Sequence, residues 1–148
     1  MDAAVAGLAG YLSPGDVVAG KSTVPVGTAE RLAELIAETQ PVATLLWNPE
    51  FLREGHAIAD TLRPDRFVYG VPDGNEDHPA VAVLDQVYDV ALSTGTPRLV
   101  MGYATAELVK TANSFLATKI SFIYAMAEVC EATGADVRPR RRLQARER

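Results

Sequence analysis

Apolar positions along this chain follow two alternating patterns, short continuous runs and stripes at helical spacing, which together are typical of an α/β protein. The runs predict four strands, at residues 17–21, 42–47, 67–70 and 98–101. The stripes predict helices over residues 2–12, between 28 and 40, shortly before 63, from 79 onward and over 105–133. We expect Asp2 and Thr28 to cap the first two helices. Strands that alternate with helices predict a parallel sheet covered on both faces.

The apolar run at residues 42–47 leads directly into a charged stretch at residues 48–55. Pro49 ends the strand ladder because proline has no amide hydrogen to donate. Glu50 and Glu54 then follow the carboxyl end of a strand, where open α/β sheets bind their ligands. The alternative is a loop of solvated charges, since acidic residues are common on protein surfaces. Hydroxyl-bearing residues follow the first strand in the same way.

Composition indicates one globular domain with little capacity for disulfide or metal chemistry. The chain has 148 residues, 48% of them hydrophobic, with one cysteine and two histidines, so we expect no disulfide and no metal site. No apolar run reaches the length of a membrane span and the start lacks a basic secretory flank, which predicts a cytoplasmic protein without membrane contact. Residues 1–137 carry a net charge of −10, which disfavours nucleic-acid binding.

A complete dinucleotide-binding domain normally begins with a strand, a G-x-G-x-x-G turn and a helix. The nearest candidate here, Gly7-x-x-Gly10, has neither that spacing nor a preceding strand. Four strands are also about half of the usual doubly wound arrangement. We therefore expect an α/β fold consisting of the C-terminal half of a Rossmann-like doubly wound parallel sheet, followed by a long helix, as an interior piece of a larger enzyme.

Three motifs, taken together and in this order, resemble the UDP-glucose dehydrogenase family. They are KSTVPVGT at residues 21–28, NPEFLREG at 48–55 with PDR at 64–66, and a lysine at 110 with NSFLATKISFI at 113–123. The family comprises nicotinamide-dependent enzymes that oxidise the primary alcohol of a nucleotide sugar to a carboxylate in two hydride transfers. The resemblance implies NAD as the cofactor, UDP-glucose as the substrate and a homo-oligomer for the full-length enzyme.

The resemblance also implies roles for residues after the first two strands. Ser22, Thr23 and Val24 match the segment beside the nicotinamide, where Thr23 helps to position a water molecule. A hydroxyl that only caps a loop is the alternative for Thr23. Glu50 matches the carboxylate that acts as acid and base in the hydrolysis of a covalent thioester, and Glu54 matches a neighbour of the cofactor and the substrate.

Lys110 and Asn113 match the pair that stabilises the developing oxyanion, a role suited to a cation and an amide donor. Without the resemblance, a lone lysine on a helix is usually a solvated charge. The substrate-contacting residues that the resemblance implies are Glu50, Phe51, Leu52, Arg53, Glu54, Lys110 and Asn113.

By the same resemblance the chain has three parts. Residues 1–103 match the C-terminal part of the NAD-binding domain, and residues 104–137 match the long connecting helix of the central dimerisation domain. Residues 138–148, with six arginines, depart from the family pattern. We interpret this tail as a frame change or truncation scar, with a functional basic tail as the alternative.

Two other features depart from the family. The nucleophilic cysteine is expected far beyond residue 148, and Cys130, in the long helix, is interpreted as a buried small hydrophobic residue. Lys110 and Asn113 are three residues apart where the family has four. Because one residue turns an α-helix by about 100°, we expect Lys110 to point away from its family direction and to miss the Glu50 carboxylate.

The sequence supports two classes of function. The first is a fragment of an NAD-dependent UDP-glucose 6-dehydrogenase, inactive alone, with a GDP-mannose or other nucleotide-sugar dehydrogenase fragment as the alternative enzyme. The second is a non-catalytic remnant that dimerises through the long helix, whose apolar face we expect to be exposed.

Overall fold

The structure is a computed structural model that describes residues 1–135. The elements within that range are α1 (Asp2–Ala9), β1 (Val17–Gly20), α2 (Thr28–Thr39), β2 (Thr44–Trp47), α3 (Ala57–Leu62), β3 (Phe67–Val71), α4 (Pro79–Val87), α5 (Asp89–Ser93), β4 (Arg98–Gly102) and α6 (Tyr103–Thr133). The chain forms a first compact unit, Met1–Thr111, and a second that begins at Ala112. The predicted basic tail lies outside the described residues. None of the described helices is long and apolar enough to cross a membrane.

The four strands form one sheet within the first unit, and its two central strands, β2 and β3, are buried on both faces. Side chains alternate across a strand, so Leu45 and Trp47 face one side and Leu46 faces the other. The first side packs against α1, α2 and the start of α6, and the second packs against α4. The alternation of apolar runs and stripes therefore predicted the layered α/β architecture correctly.

The order of the strands is β1-β2-β3-β4, and the sheet is mixed. The prediction of a parallel sheet holds for the pairs β1–β2 and β3–β4, whereas β2 and β3 run antiparallel. Their only Cα pair is Trp47 with Gly70, so the two strands meet near their carboxyl ends. A parallel arrangement would need the connection to cross back over the full sheet. The connection contains only the six residues of α3 as regular structure, and β3 starts at the edge where β2 ends.

Two helix starts differ from the prediction. Met1 precedes α1 without a side-chain cap, and Asp2 is the first helical residue, where its carboxylate pairs with Arg31 at 2.5 Å. Gly27, with a φ of 91°, precedes α2, and the Thr28 hydroxyl donates to the carbonyl of Pro25 at 2.6 Å. A left-handed backbone is accessible to glycine without a Cβ penalty. Neither predicted residue therefore caps its own helix.

The predicted helix from Pro79 is broken in two at Tyr88. This residue has φ −104° and ψ 17°, between the end of α4 at Val87 and the start of α5 at Asp89. The break leaves Tyr88 stacked on Phe67, with ring centroids 4.2 Å apart. The ring of Tyr88 thus packs in the apolar layer between the sheet and α4, and its hydroxyl lies at the edge of the sheet, beside Asn48.

Helix α6 begins within the first compact unit and continues into the second. Its first two turns bury Tyr103, Ala106 and Glu107. The Tyr103 hydroxyl donates to the carbonyl of Leu45 at 2.5 Å, and burial raises the pKa of this phenol to about 12. From Ala112 onward the helix exposes large apolar residues, as predicted: Phe115, Leu116, Ile120, Phe122, Tyr124 and Val129. Cys130 is half-buried rather than fully buried.

Candidate active site at the carboxyl edge of the sheet

The carboxyl ends of β1 and β2 lie side by side, because the strands are parallel and Gly20 is paired with Trp47. The chain leaves these ends in two loops, which we call the hydroxyl loop (residues 21–27) and the acidic loop (residues 48–56). The antiparallel β3 brings residues 64–67 to the same edge. A pocket of about 180 Å³ opens there, lined by residues 48–52 and 64–67 together with Lys21, Asp60, Thr61 and Tyr88.

Asn48 is the buried junction between these segments, with 2% of its surface exposed. Its amide hydrogen donates to the carbonyl of Gly20 at 2.7 Å, and its side-chain Nδ2 donates to the carbonyl of Val68 at 2.9 Å. Its Oδ1 accepts two further bonds, from Lys21 Nζ at 3.0 Å and from the Tyr88 hydroxyl at 2.8 Å. Lys21 Nζ also donates to the Tyr88 oxygen at 3.0 Å. A buried polar group needs such partners, and here they join three strands and the α4–α5 junction.

The acidic loop is closed by a bidentate contact between Arg53 and Asp60. Asp60 Oδ2 accepts from the Arg53 amide at 2.8 Å and from its Nε at 3.0 Å, and Oδ1 accepts from Nη2 at 2.6 Å. These bonds hold the pKa of Asp60 down at about 2, with the guanidinium bond as the largest cause and the amide bond next. The same contact raises the pKa of Arg53. The guanidinium that we expected to contact substrate is therefore already bound to a carboxylate of α3.

The Lys110 ammonium donates to the main-chain carbonyl of Glu50 and lies 5.3 Å from the centroid of the Phe51 ring. We expected Lys110 to miss the Glu50 carboxylate because the helix register turned it away. The ammonium nevertheless reaches Glu50, through its carbonyl, from an α6 that is helical without interruption, so the argument from helix register is wrong. The argument from helix register assumed that the lysine side chain points in the direction fixed by its position on the helix. Its four-carbon stem can instead cover a rotation of about one residue and still bring the charge to an oxygen. The acceptor is the carbonyl and not the carboxylate that the family pairing implies.

Four of the side chains expected to act on ligands lie free at this edge. Ser22 and Thr23 are exposed on the hydroxyl loop, and Glu50 and Glu54 are exposed on the acidic loop. Within residues 1–135, none of these four side chains takes part in a hydrogen bond or ion pair. An unbonded polar group at a ligand-binding edge can exchange water for a ligand without first breaking an internal bond.

Three other predicted site residues lie in different settings. Val24 is half-buried and packs against the apolar core, so it anchors the hydroxyl loop. Leu52 lines the pocket beside Glu50 and Phe51. Asn113 is exposed on the part of α6 that belongs to the second compact unit.

Glu107 is a site-supporting residue that sequence reasoning missed. It is 1% exposed, and its two carboxylate oxygens accept from the amides of Gly27 and Ala29, both at 2.7 Å. It therefore caps the start of α2 from another helix and fixes the end of the hydroxyl loop. Lys110 follows it by three residues, which is nearly one turn of α6. The sequence indicates the need for such a cap only indirectly, because no Ser, Asp or Asn precedes α2 at the position that usually caps a helix.

The network around Asn48 was also missed as a unit, although Asn48 was noted at the start of the charged stretch. Lys21 and Tyr88 are 27 and 40 residues away from it in sequence. The polar residue type directly after a buried strand is a weak signal for such a node. Its partners could not be found by spacing, because they come from another loop and another helix.

The chain belongs to the UDP-glucose/GDP-mannose dehydrogenase family. Residues 1–92 match the NAD binding domain of that family, and residues 104–145 match its central domain. The fold class expected from the sequence, part of a Rossmann-like NAD-binding domain followed by a long helix, is thereby confirmed.

Several proteins of known name are similar to this chain. A UDP-glucose 6-dehydrogenase of Rhizobium meliloti (strain 1021) is 47% identical over 138 residues, which are 91% of this chain and 31% of that protein. A UDP-glucose 6-dehydrogenase of Pseudomonas aeruginosa is 43% identical over 133 residues, which are 85% of this chain and 28% of that protein. The chain thus spans about a third of the length of these relatives.

Solved structures show the same relationship in three dimensions. A UDP-glucose dehydrogenase from the hyperthermophilic archaeon Pyrobaculum islandicum superposes with a TM-score of 0.75 at 38% identity, covering 92% of this chain and 32% of that one. A GDP-mannose dehydrogenase from Pseudomonas aeruginosa gives a TM-score of 0.74 at 23% identity, covering 98% and 34%. The second likeness is evidence of fold alone.

Proposed function

We propose that this chain supplies the sugar-facing and nicotinamide-facing edge of an NAD-dependent UDP-glucose 6-dehydrogenase, which converts UDP-glucose to UDP-glucuronate in two hydride transfers. The observation that carries the proposal is the free Glu50 carboxylate beside the pocket, with Lys110 bound to the carbonyl of the same residue. The relatives at 43–47% identity support UDP-glucose over other nucleotide sugars.

The residues at this edge suit the nicotinamide end of the cofactor. Exposed hydroxyls at residues 22 and 23 stand where open α/β sheets bind ligands, whereas no glycine-rich turn for the pyrophosphate occurs in the sequence. Ser22, Thr23 and Val24 would hold the nicotinamide ring, and bound NAD would supply the hydride acceptor. Thr23 would bind beside the nicotinamide and orient a water molecule.

The other residues act on protons and charge. The Glu50 carboxylate, unbonded in the structure, would take and return protons during hydrolysis of the acyl intermediate. Lys110, with Asn113 on the same helix, would stabilise negative charge on the reacting oxygen. Arg53 would act mainly by shaping the loop, because its guanidinium is held by Asp60. Glu54 would lie beside the cofactor and the sugar.

The 148 residues by themselves should not complete the reaction. The second oxidation requires a thiolate nucleophile, and the single Cys130 lies on α6 within the second compact unit. The first oxidation requires a bound pyrophosphate. We therefore expect UDP-glucose binding without turnover.

The test measures both properties on the same protein. Isothermal titration with UDP-glucose should show weak binding that Glu50→Gln and Lys110→Met alter, while Lys119→Met serves as the matched lysine control. Reduced nicotinamide, followed by its near-ultraviolet absorbance, should not accumulate with UDP-glucose and NAD present. Turnover abolished by Glu50→Gln would contradict the expected inactivity, and absence of binding would contradict the proposed function.

A second candidate, a non-catalytic dimerising protein, is favoured by the apolar surface of α6 beyond Ala112. Phe115, Leu116 and Phe122 are each more than half exposed there, at 67%, 56% and 56%. Light scattering after size-exclusion chromatography distinguishes the candidates. A defined dimer that Leu116→Glu dissociates would support the dimerising protein. A monomer or a polydisperse aggregate would contradict it.

A further inference from the structure

We propose that Asn48 is a positioning residue for the oxidation: its bonds to Lys21 and Tyr88 determine where the Glu50 carbonyl lies and, through it, where Lys110 is held. The inference rests on the proposed function for its chemical meaning. The structural part of the inference can be tested separately. It states that the Tyr88 hydroxyl, at the α4–α5 junction, affects the position of Lys110 on α6.

The first step is the full use of the Asn48 side chain. Its Oδ1 accepts from Lys21 and Tyr88, and its Nδ2 donates to Val68. The residue is 2% exposed, so a lost partner is not replaced freely by water. Three contacts from separate segments leave the side chain one orientation, and the Gly20 bond fixes its backbone as well.

The second step is the short connection from Asn48 to Glu50. The single intervening residue is Pro49, which is buried and has a φ locked near −65°. Proline also restricts the residue that precedes it. A rotation of Asn48 is therefore passed on to the Glu50 carbonyl and is not absorbed by a flexible link.

The third step is the contact of that carbonyl with Lys110. The ammonium donates to the Glu50 oxygen and lies over Phe51, the next residue of the same loop. Both partners of Lys110 thus move with the acidic loop. Within residues 1–135, Tyr88 is connected to Lys110 through Asn48 and the Glu50 carbonyl, and also through the stacked Phe67 ring, Arg66 and the Phe51 ring. Only the connection through Asn48 uses the Tyr88 hydroxyl, so an effect of that hydroxyl on Lys110 is carried by Asn48.

Tyr88→Phe isolates the hydroxyl, because the phenyl ring retains the 4.2 Å stack on Phe67. Asn48→Asp keeps the shape of the side chain and replaces its donor to Val68 with an oxygen. Tyr11→Phe is the matched control, since Tyr11 is 86% exposed. The experiment records the side-chain NMR signals of isotopically labelled lysines in the full chain, with Lys110 assigned from Lys110→Met.

We expect Tyr88→Phe to move the Lys110 signal by more than the spread between the wild type and Tyr11→Phe, while circular dichroism shows the same fold. Asn48→Asp should move it further. If Asn48→Asp does not fold, Tyr88→Phe alone decides. A Lys110 signal that stays in place in folded Tyr88→Phe overturns the proposal, because a merely local role of this network predicts that result.

The functional arm titrates UDP-glucose into each variant and follows the amide signals of residues 50–52. Loss of one hydrogen bond in the positioning chain should raise the dissociation constant about three- to tenfold in Tyr88→Phe, and leave it unchanged in Tyr11→Phe. An unchanged constant in Tyr88→Phe contradicts the positioning role. Absence of any response in the wild type contradicts the proposed function instead, and the Lys110 signal then still decides the structural inference.

Discussion

The hydroxyl loop and the acidic loop leave adjacent parallel strands, yet they are held in different ways. The acidic loop is tied along its length by Asn48, by the Arg53–Asp60 contact and by Lys110 on the Glu50 carbonyl. The hydroxyl loop is held by hydrogen bonds only near its ends, by Lys21 at the start and by Glu107 at Gly27, and by the packing of Val24 against the core between them. Between those ends Ser22 and Thr23 are exposed.

The difference separates two uses of the same chemical group. Asp60 and Glu107 are carboxylates that bind backbone amides and hold a loop. Glu50 and Glu54 are carboxylates on the loop surface, free to meet a ligand. Residue type alone does not distinguish these roles, because the distinction depends on which backbone groups lie nearby and on how far water is excluded.

The largest expected effect comes from filling the space where the hydroxyl loop begins. Gly20→Ala would place a Cβ 2.1 Å from a ring carbon of Trp47, a residue that is 1% exposed. We expect the free energy of unfolding to fall by about 3 kcal/mol, measured by urea unfolding with Trp47 fluorescence. Gly7→Ala, where no atom lies within 4 Å, should be neutral or slightly stabilising. Equal effects of the two changes would contradict the packing argument.

Glu107→Gln tests the remote cap of the hydroxyl loop. The glutamine keeps the size of the side chain, but its NH₂ group replaces one of the two oxygens and faces a backbone N–H donor. We expect the free energy of unfolding to fall by about 2 kcal/mol. Hydrogen exchange at the Gly27 and Ala29 amides should become faster in the variant, while exchange at the amides that begin α4 should not change. Glu34→Gln, on the exposed face of α2, is the control. Unchanged exchange at both amides would show that α2 does not depend on this carboxylate.

Asp60→Asn tests the closure of the acidic loop through its dependence on pH. The pKa of Asp60 is about 2 in the folded chain, below the ordinary value of about 3.9. The carboxylate therefore stabilises the fold above about pH 4, and this contribution is lost as pH falls toward 2. At about pH 6 the wild type should have a higher free energy of unfolding than Asp60→Asn. This difference should shrink as the pH falls from about 4 to about 2.

This effect should be smaller than that of Glu107→Gln, since two-thirds of the Arg53 side chain is exposed and solvent screens the pair. Asp73→Asn, an exposed change of the same kind, controls for net charge. A difference that does not change between about pH 6 and pH 2 would show that the Arg53 contact does not lower the pKa of Asp60.

Thr23→Val should have the smallest effect on stability, within about 0.5 kcal/mol, because the hydroxyl is exposed and unbonded. The same change at Thr28, whose hydroxyl donates to Pro25, should cost more. Urea midpoints measure both. A marked loss of stability in Thr23→Val would mean that the middle of the hydroxyl loop is held as firmly as its ends, and would remove the contrast between the loops.

The sequence by itself determined the layered α/β architecture, the four strands and the long helix, because apolar periodicity follows directly from which faces are buried. It also indicated the two loops that leave β1 and β2, since Pro49 cannot donate to the ladder and the segment after β1 contains Pro25 and Gly27. The family followed from motifs whose order and spacing are local properties of the chain.

Tertiary structure alone decided the direction of β3, the cap of α2 and the partners of Asn48. Each depends on groups that are far apart in sequence: Glu107 lies 80 residues from Gly27, and Tyr88 lies 40 residues from Asn48. It also decided the position of Lys110, because a flexible side chain reaches whichever acceptor the packed backbone offers. Periodicity predicts which surface a residue faces, and only the folded chain determines which distant polar group meets it there.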